Sequence, residues 1–474
     1  MNWRKILSVK VSEKFLILFG ILFLLRLPSL FEPYWYGDEG IYLTLGMALR
    51  KGLVWYRDIH DNKPPLLYLI AALAGTQFWF RTILLFWNGV NTFLIYKLAL
   101  KIFNKKNSGL IAAFIFIFLS LIAEGNIANG EIFMIMPVTA GMLTLFGNLE
   151  VKSQKSKVKI YLISGVLFSL AFLFKAPAAF SFLAALVFLF FFKNIKKIII
   201  LIIGFIILPL LSVIYYWSQG ALSQYITAAF KQNTGYVSSW GAGGIGFSHR
   251  ILVMAVIILI LFFLKKHFRK EFLLIALWFF FDLFASLLSA RPYPHYLIQL
   301  APSVSLLLLF LASKLSLEKI FVILATASLA SAFFYYKFWR YPVWTYYQNF
   351  VEFAVGAKSK NDYFAFFDAR VGQTYQLAAW VKALTGENER IFIWGDEPYV
   401  YALSARLPAG RYTVAYHIID FSGWQDTLSA INSRKPSIII MVDGEEEFAA
   451  LELILKQQYL KINKIGKGTI YKRI

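Results

Sequence analysis

Long apolar segments recur along this chain and constrain its fold more than any other feature. Most of them approach the roughly 20 residues that an α-helix needs to cross a bilayer. Only 16% of the 474 residues are charged and 59% are hydrophobic, whereas charged residues make up about a quarter of a soluble domain. The sequence therefore predicts a polytopic α-helical membrane protein. Its apolar segments are 15–31, 66–79, 82–102, 108–123, 131–149, 160–174, 177–192, 197–217, 249–264, 272–289, 297–313 and 319–339.

Short basic clusters between these segments predict the topology. Segment 66–79 has too few residues after Pro64-Pro65 to span comfortably. If it lies at the membrane surface, every basic cluster falls on the cytoplasmic side, as the positive-inside rule requires. We therefore expect eleven spans plus one interfacial or re-entrant helix in the plasma or inner membrane, with a cytoplasmic N-terminus and an extracytoplasmic C-terminus. Segment 15–31 has no signal-peptide cleavage site after it and is expected to be the first span.

The net charge of +22 fits this topology and does not indicate a nucleic-acid partner. Residues 340–474 carry 16 basic and 14 acidic residues, so nearly all of the excess lies in the membrane part. There the basic residues sit in short clusters that flank apolar segments. The chain has no cysteine, which excludes disulfides and thiolate metal sites.

The pattern changes after residue 340. Two short apolar runs, 391–394 and 437–442, are typical of buried strands. We therefore predict a transmembrane catalytic domain over 1–340 and an extracytoplasmic α/β domain over 341–474. Within the second domain, helices are predicted over 373–385, 422–433 and 446–456, and a hairpin over 459–465 and 468–472.

Two polar clusters separate the first two apolar segments, in what we call the first loop (residues 32–65). The first is Tyr36-Gly37-Asp38-Glu39-Gly40. A charge at the bilayer centre costs about 2.5–3.5 kcal/mol, so several adjacent charges indicate an aqueous loop or a reactive site. Asp38 either caps a helix from Glu39 to Arg50 or acts as a general base toward an acceptor hydroxyl.

The second cluster ends in Asp61-Asn62-Lys63-Pro64-Pro65. The prolines fix the approach to a helix start. A phosphate there would meet the Lys63 ammonium and free backbone N–H groups. Alternatively, Lys63 extends to lipid headgroups. His60 beside Asp61 is weak evidence for a metal, because no spaced partner accompanies the two residues.

Two further charged positions belong to later segments. Glu131 follows Asn129-Gly130 at the start of a predicted span, where an acidic residue also simply favours a helix start. Lys175 interrupts an otherwise apolar hairpin. An ionisable residue in such a position is a functional candidate.

Arg291-Pro292-Tyr293-Pro294-His295-Tyr296 forms a rigid cationic and aromatic loop. Arg291 and His295 could neutralise a leaving phosphate, and the two tyrosines could stack on a sugar or isoprenoid. The alternative is an aromatic belt at the membrane interface. No Gly-rich phosphate loop, Walker motif or Rossmann fingerprint occurs, so a nucleotide-sugar donor or ATP-driven transport is unsupported.

Together these motifs resemble membrane glycosyltransferases of the GT-C class. The Asp38-Glu39 pair, the Asp61-Asn62-Lys63-Pro64-Pro65 run, the Asn129-Gly130-Glu131 motif and the late Arg/Tyr/His loop are similar to the protein O-mannosyltransferase and lipid A aminoarabinose transferase group. The resemblance implies a GT-C-like helical fold and a polyprenyl-phosphate-linked sugar donor. It also implies that the enzyme transfers the sugar with inversion to a lipid, glycan or protein acceptor on the extracytoplasmic side. Membrane lipids are expected to surround the protein.

The resemblance assigns roles to residues of this chain. Asp38 would be the general base, with Glu39 supporting it and Glu131 as the second-loop acidic residue. The donor phosphate would be held by Lys63, Lys175, Arg291 and His295, and the substrate lined by Tyr36, Asp61, Tyr293 and Tyr296. A metal is not required for this reaction, although a divalent metal is compatible with it. Ile41 and Asn62 depart from the family pattern, where Arg and, in the aminoarabinose branch, Glu occur.

Rival functions stay open. A flippase or transporter for a polyprenyl lipid carrier would place charged residues at mid-span, whereas Asp282 is the one acidic residue predicted well inside a span. A structural membrane protein with an outer binding domain gives no reason for acidic and basic groups to converge. An O-antigen-ligase-like transferase fits the Asp38-Glu39 motif poorly.

Overall fold

A computed structural model describes residues 13–147, 154–235, 237, 246–314 and 316–474. The described residues form two compact units. The first unit holds the described residues within 1–27, 83–215 and 233–343, and the second holds those within 28–82, 216–232 and 344–474. The first loop therefore belongs to the same unit as the C-terminal region, whereas the predicted boundary near residue 340 separates them. That boundary stays a prediction.

Every predicted apolar segment is helical over most of its described residues. Gln77–Phe103 and Ile195–Ser218 contribute to both units. The other helices of the first unit are Glu13–Arg26, Lys106–Ile122, Gly130–Gly147, Gln154–Phe174, Ala178–Phe191, Phe247–Leu264, Lys270–Ser286 and Ser316–Tyr335, with Pro294–Ala312 a mixture of 3-10 and α-helix.

Five helices in the described part of the chain are long and apolar enough to cross a membrane. They are Gln77–Phe103, Ile195–Ser218, Phe247–His267, Pro294–Ala312 and Ser316–Tyr335. Four more apolar helices have 10–17 residues. Ile195–Ser218 and Phe247–His267 are mostly exposed, as lipid-facing helices are. The predicted count of eleven spans is not confirmed, because the shorter helices do not meet the ~20-residue length.

The second unit contains a five-stranded mixed sheet. Strands β1 (Arg390–Trp394) and β2 (Leu407–Pro408) are parallel, as are β1 and β3 (Ile438–Val442). Strand β5 (Gly468–Arg473) runs antiparallel to β3 and to β4 (Tyr459–Ile465), so the strand order is β2-β1-β3-β5-β4. The helices of this unit are Gly37–Arg50, Leu66–Ala74, Leu222–Ile226, Val343–Ala354, Lys360–Ala365, Val371–Leu384, Pro398–Ser404, Ala415–Asp420, Trp424–Arg434 and Ala449–Gln458, with a π-helix over Thr227–Lys231.

Both faces of this sheet are covered by apolar side chains. On β1, Ile391 and Ile393 belong to one buried cluster and Phe392 and Trp394 to another. Successive side chains of a strand point to opposite faces, so a strand buried on both faces reads as a continuous apolar run. The predicted strands, the three predicted helices and the hairpin are confirmed to within three residues. The two-residue edge strand β2 carried no sequence signal.

The helix that carries Asp38 begins earlier than predicted. It runs from Gly37 to Arg50, preceded by Tyr36 in an extended conformation, and Gly52 follows its end with φ +80°. Asp38 therefore lies in the first turn, and the alternative that it caps the helix is wrong. Its carboxylate instead accepts a hydrogen bond from the Tyr42 hydroxyl, one turn later.

The helices Gly37–Arg50 and Leu66–Ala74 pack closely at a glycine. A Cβ on Gly46 would lie 2.6 Å from the backbone nitrogen of Ala72 and 2.7 Å from the carbonyl carbon of Ala71. Backbone atoms cannot move aside as a side chain can. Gly46 therefore fixes how closely the helix bearing Asp38 approaches the helix that follows Lys63.

Gly46→Ala is expected to lower the free energy of unfolding by about 1–3 kcal/mol, the usual cost of overpacking. The measurement is the thermal melting of the purified protein in detergent. Gly372→Ala is the matched control, because Gly372 lies exposed in the Val371–Leu384 helix and a methyl group added there would meet no atom within 4 Å. A melting temperature unchanged by Gly46→Ala would contradict the tight contact.

Candidate active site

Asp38, Lys63 and Asp61 form a charged cluster on the first loop. The Lys63 Nζ lies 3.7 Å from Asp38 Oδ2 and 3.5 Å from Asp61 Oδ2. The Asp38 side chain is 31% exposed, whereas that of Asp61 is fully buried. Lys63 therefore connects a carboxylate that solvent can reach with one that it cannot. The structure brings these three predicted site residues together.

Tyrosine hydroxyls hold this cluster in place. Tyr42 Oη donates to Asp38 Oδ2 at 2.9 Å. Tyr68 Oη donates to Asp61 Oδ2 at 2.8 Å and accepts a hydrogen bond from the Lys63 backbone N–H at 2.9 Å. Tyr68 lies in the first turn of the Leu66–Ala74 helix, whose start the two prolines fix. The Lys63 backbone and the Asp61 carboxylate are therefore tied to the same hydroxyl.

Tyr56 holds the Lys63 backbone and has a strained backbone conformation itself. Its φ is +71°, which is unusual for a bulky residue. Its hydroxyl donates a hydrogen bond to the Lys63 carbonyl at 2.8 Å. The centre of its ring lies 5.1 Å from that of Tyr216 and 5.2 Å from that of Tyr225. Such strain persists only where the surroundings over-determine the conformation, as they often do at functional sites.

Two buried histidines lie on the inner side of the cluster. His417 belongs to the Ala415–Asp420 helix, and its Nε2 lies 3.6 Å from Asp61 Oδ1. The His60 ring stands perpendicular to it at 5.7 Å. Burial lowers the pKa of His417 to about 4, although Asp61 opposes this shift. Burial, with the nearby His417 and Arg411, also holds the pKa of His60 well below its usual range.

Glu39, next to Asp38, points into a buried ion-pair network. Arg81 Nη2 lies 2.7 Å from Glu39 Oε2, and Arg81 Nη1 lies 2.6 Å from Glu32 Oε2. All three side chains are fully buried. Tyr399 donates a further hydrogen bond to Glu39 at 3.2 Å. Glu39 therefore anchors the start of the helix that carries Asp38.

A second polar cluster lies in the first compact unit. Lys175 pairs with Glu131 at the start of the Gly130–Gly147 helix. The Lys175 ammonium also lies 5.0 Å from the centre of the Tyr296 ring. Both charged side chains are largely buried. Two charged residues and one aromatic residue predicted from separate motifs are thus in contact.

The late loop is attached to a further carboxylate in that unit. His295 Nδ1 lies 2.9 Å from Glu124 Oε2, and Trp339 Nε1 donates to Glu124 Oε1 at 3.1 Å. The Tyr293 ring stacks on the His295 ring with 5.5 Å between their centres, and the Tyr296 ring meets the His295 ring edge-on with 4.7 Å between their centres. No role was predicted for Glu124, whose φ is +58°.

Two further predicted residues, Tyr36 and Arg291, lie beside these clusters in the chain. Tyr36 is half-buried and precedes the Asp38 helix, and Arg291 is half-buried in the loop before His295. Asp61 was predicted to line the substrate; its side chain is fully buried beneath Lys63, and the lining role stays a prediction. Glu39 likewise has no exposed surface for direct contact with a substrate.

Metal binding was a weaker expectation, based on His60 and Asp61. Among the described residues, no group of three or more His, Asp or Glu side chains could hold a metal ion. Asp61 instead faces Lys63, Tyr68 and His417.

Comparison with known proteins gives one family match and several fold matches. The profile of a family described as dolichyl-phosphate-mannose-protein mannosyltransferase matches residues 62–217, about a third of the chain. No curated protein sequence matches. The crystal structure of ArnT from Cupriavidus metallidurans bound to undecaprenyl phosphate matches with a TM-score of 0.60 and 12% identity, over 98% of this chain and 99% of that one.

The chain has the fold of ArnT. The apo structure of the same ArnT matches with a TM-score of 0.58 and 11% identity, over 97% of each chain. A weaker match, at a TM-score of 0.46 and 13% identity, is the Archaeoglobus fulgidus oligosaccharyltransferase, over 97% of this chain and 73% of that one. The profile and the fold confirm the resemblance to GT-C glycosyltransferases. With the apolar helices they indicate a multi-pass membrane protein.

Several residues that organise the first-loop cluster were not predicted, Arg81 and His417 among them. Arg81 stands immediately before the predicted segment 82–102, where a lone arginine beside a long apolar run is itself a functional signal. His417 lies 356 residues after Asp61. A single sequence carries no signal for a pair so far apart.

Arg81→Leu is expected to lower the free energy of unfolding by about 3–5 kcal/mol, because it leaves two buried carboxylates without their cation. The measurement is thermal melting in detergent. The control is Arg57→Leu, since Arg57 pairs with Asp58 at a site where its side chain is 42% exposed and such pairs contribute about 0–1 kcal/mol. Equal losses in the two variants would contradict the buried network.

Acidification is expected to destabilise the protein through His417. Between pH 6.5 and about 4 the unfolded chain holds a proton on this residue that the folded protein does not, so stability falls as the pH falls. At pH 5 this histidine alone lowers the free energy of unfolding by about 2 kcal/mol relative to pH 7.5. Melting at both pH values should show a smaller drop for His417→Gln than for wild type. His249→Gln, at an exposed position, should retain the full drop.

Proposed function

We propose that this protein transfers a sugar from a polyprenyl-phosphate-linked donor to an acceptor at the extracytoplasmic face of the membrane. The observation that carries the proposal is the Asp38–Lys63–Asp61 cluster in a chain with the ArnT fold. The matched family, described as a dolichyl-phosphate-mannose-protein mannosyltransferase, supports the same class of donor. The ArnT structure bound to undecaprenyl phosphate supports a lipid phosphate as the leaving group.

Asp38 is the proposed general base. It is the partly exposed carboxylate of the cluster, and Tyr42 and Lys63 fix its position. The acceptor hydroxyl attacks the anomeric carbon from the face opposite the phosphate, and Asp38 takes the proton. The bond between the anomeric carbon and the phosphate oxygen breaks, and the lipid phosphate leaves with the electron pair. General bases placed in this way contribute about 10²–10⁴-fold to a rate.

Lys63 is the proposed phosphate ligand next to the base. Its side chain is 15% exposed, and its ammonium already lies near two carboxylates. A fixed cation that meets the developing negative charge lowers the barrier without reorganisation at the moment of reaction. The reaction as proposed uses protein cations for this purpose. Glu39 acts indirectly, as the buried residue that positions the helix bearing Asp38.

The cluster in the first compact unit is also assigned to the binding of a lipid phosphate. We propose that Lys175, Arg291 and His295 contribute to phosphate binding, with Glu131 and Glu124 keeping the two pairs in place. Tyr293 and Tyr296 provide aromatic surface for the sugar or prenyl chain. The support for this assignment is that the separate motifs converge on one another within this unit.

Polyprenyl-carrier transport is the weaker alternative. The family profile and the fold are both those of transferases. In the described membrane helices, Asp282 is buried and accepts a hydrogen bond from Ser181, as a structural carboxylate does. We therefore propose no transport activity.

Asp38→Asn is expected to lower turnover at least 100-fold with melting behaviour retained, because the amide cannot accept the proton. The assay supplies a panel of radiolabelled polyprenyl-phosphate sugars to purified protein in lipid and measures transfer of label to acceptor or water. Lys63→Ala should raise the donor KM and lower kcat.

Asp58→Asn is the matched control. Asp58 lies on the same first loop, pairs with Arg57 and has no proposed role, so this variant should keep wild-type turnover. Turnover by Asp38→Asn equal to that of Asp58→Asn would remove Asp38 from the base role. No turnover by wild type with any donor would contradict the proposed reaction.

A further inference from the structure

The C-terminal region contributes one side chain to the first-loop cluster. His417 is about 1% exposed, and its Nε2 lies 3.6 Å from Oδ1 of Asp61, a residue 356 positions earlier. The other Asp61 oxygen, Oδ2, faces Tyr68 at 2.8 Å and Lys63 at 3.5 Å. The two oxygens of one buried carboxylate therefore face different partners.

Among the described residues, the Asp61 oxygen at this contact has no hydrogen-bond partner, and neither has the other ring nitrogen of His417. Both atoms, Asp61 Oδ1 and His417 Nδ1, are buried. A buried polar atom without a hydrogen bond destabilises the folded protein. At 3.6 Å the Nε2 of a neutral His417 lies beyond hydrogen-bond range of Asp61 Oδ1. An approach of about 0.4 Å would bring the pair to the upper limit of a normal N–H···O hydrogen bond. This imidazole is therefore the available donor for that oxygen.

We propose that His417 is a positioning residue for phosphate binding, acting through Asp61 on Lys63. Its Nε2–H holds Asp61 Oδ1, so that Oδ2 is kept toward the Lys63 ammonium. Lys63 in turn stays beside Asp38 and accessible to a lipid phosphate. This inference rests on the proposed function, in which Lys63 binds the donor phosphate.

The surroundings of His417 favour a neutral donor in this role. The charged groups that face it are Asp61, Lys63 and Asp38, and the uncharged His60, Tyr416 and Phe421 rings pack against it. A second positive charge here would compete with Lys63 for Asp61. A neutral imidazole supplies the hydrogen without that competition.

Three variants separate positioning from packing. The side-chain nitrogen of Gln reaches the place of Nε2, whereas that of Asn reaches only the place of Nδ1, and Ala supplies neither. The measurement is the affinity of each purified variant for undecaprenyl phosphate in detergent, with melting temperature measured alongside. Lys63→Ala is the reference for loss of the phosphate ligand.

His417→Gln should bind within about threefold of wild type. His417→Asn and His417→Ala should each bind about tenfold more weakly, since 1.4 kcal/mol corresponds to a factor of ten. If His417→Ala does not fold, the Gln and Asn variants still decide the question. A histidine that only fills space would give equal affinities for Gln and Asn, and either that result or affinities within twofold for every variant would overturn the inference.

The same titration distinguishes this inference from the proposed function. Absence of binding by wild type, or unchanged binding by Lys63→Ala, would overturn the proposed phosphate site and this inference with it. Wild-type binding that is lost in Lys63→Ala but insensitive to every change at His417 would overturn only the inference.

Discussion

The buried ion-pair network of Arg81 with Glu32 and Glu39 is the interaction on which the candidate site depends. Taking such charges out of water costs several kcal/mol for each ion unless they are well paired. Here Trp35 and Tyr346 each add a 2.7 Å hydrogen bond to Glu32. Because Glu39 is fixed inward, its helical neighbour Asp38 is held at the edge of the helix, where it is partly exposed. The position of the proposed base therefore depends on charges that are fully buried.

Local sequence patterns predicted much of the fold because their physical causes are local. The runs 391–394 and 437–442 are apolar nearly throughout, since both faces of their sheet are covered. The helix after Tyr36 ends where Gly52 adopts a positive φ. The number of membrane-spanning helices was harder to predict. An apolar helix of 10–17 residues can either span the membrane or be buried within the protein, and its length does not distinguish the two.

The candidate site could be predicted only in part, for a related reason. Asp38 and Lys63 stand out in an apolar chain because charges there need an explanation. Their supporting partners do not stand out. Tyr42 and Tyr68 resemble ordinary aromatic residues of helices, the strain at Tyr56 has no signature in residue type, and His417 meets Asp61 only through the tertiary fold.

The packing of the Gly37–Arg50 helix against the C-terminal region has a consequence for biosynthesis. A Cβ added to Gly40 would lie only 3.0 Å from the rings of Pro398 and Tyr399, so glycine allows this close approach. The Tyr399 hydroxyl also donates a hydrogen bond to Glu39, which precedes it by 360 residues. At about 5–20 residues per second, a ribosome needs on the order of 20–70 s to make that intervening chain. The helix bearing Asp38 therefore emerges long before its partners exist. Nascent chains must keep this helix unassembled during that interval, and products truncated before residue 398 would contain the first-loop motif without an organised site.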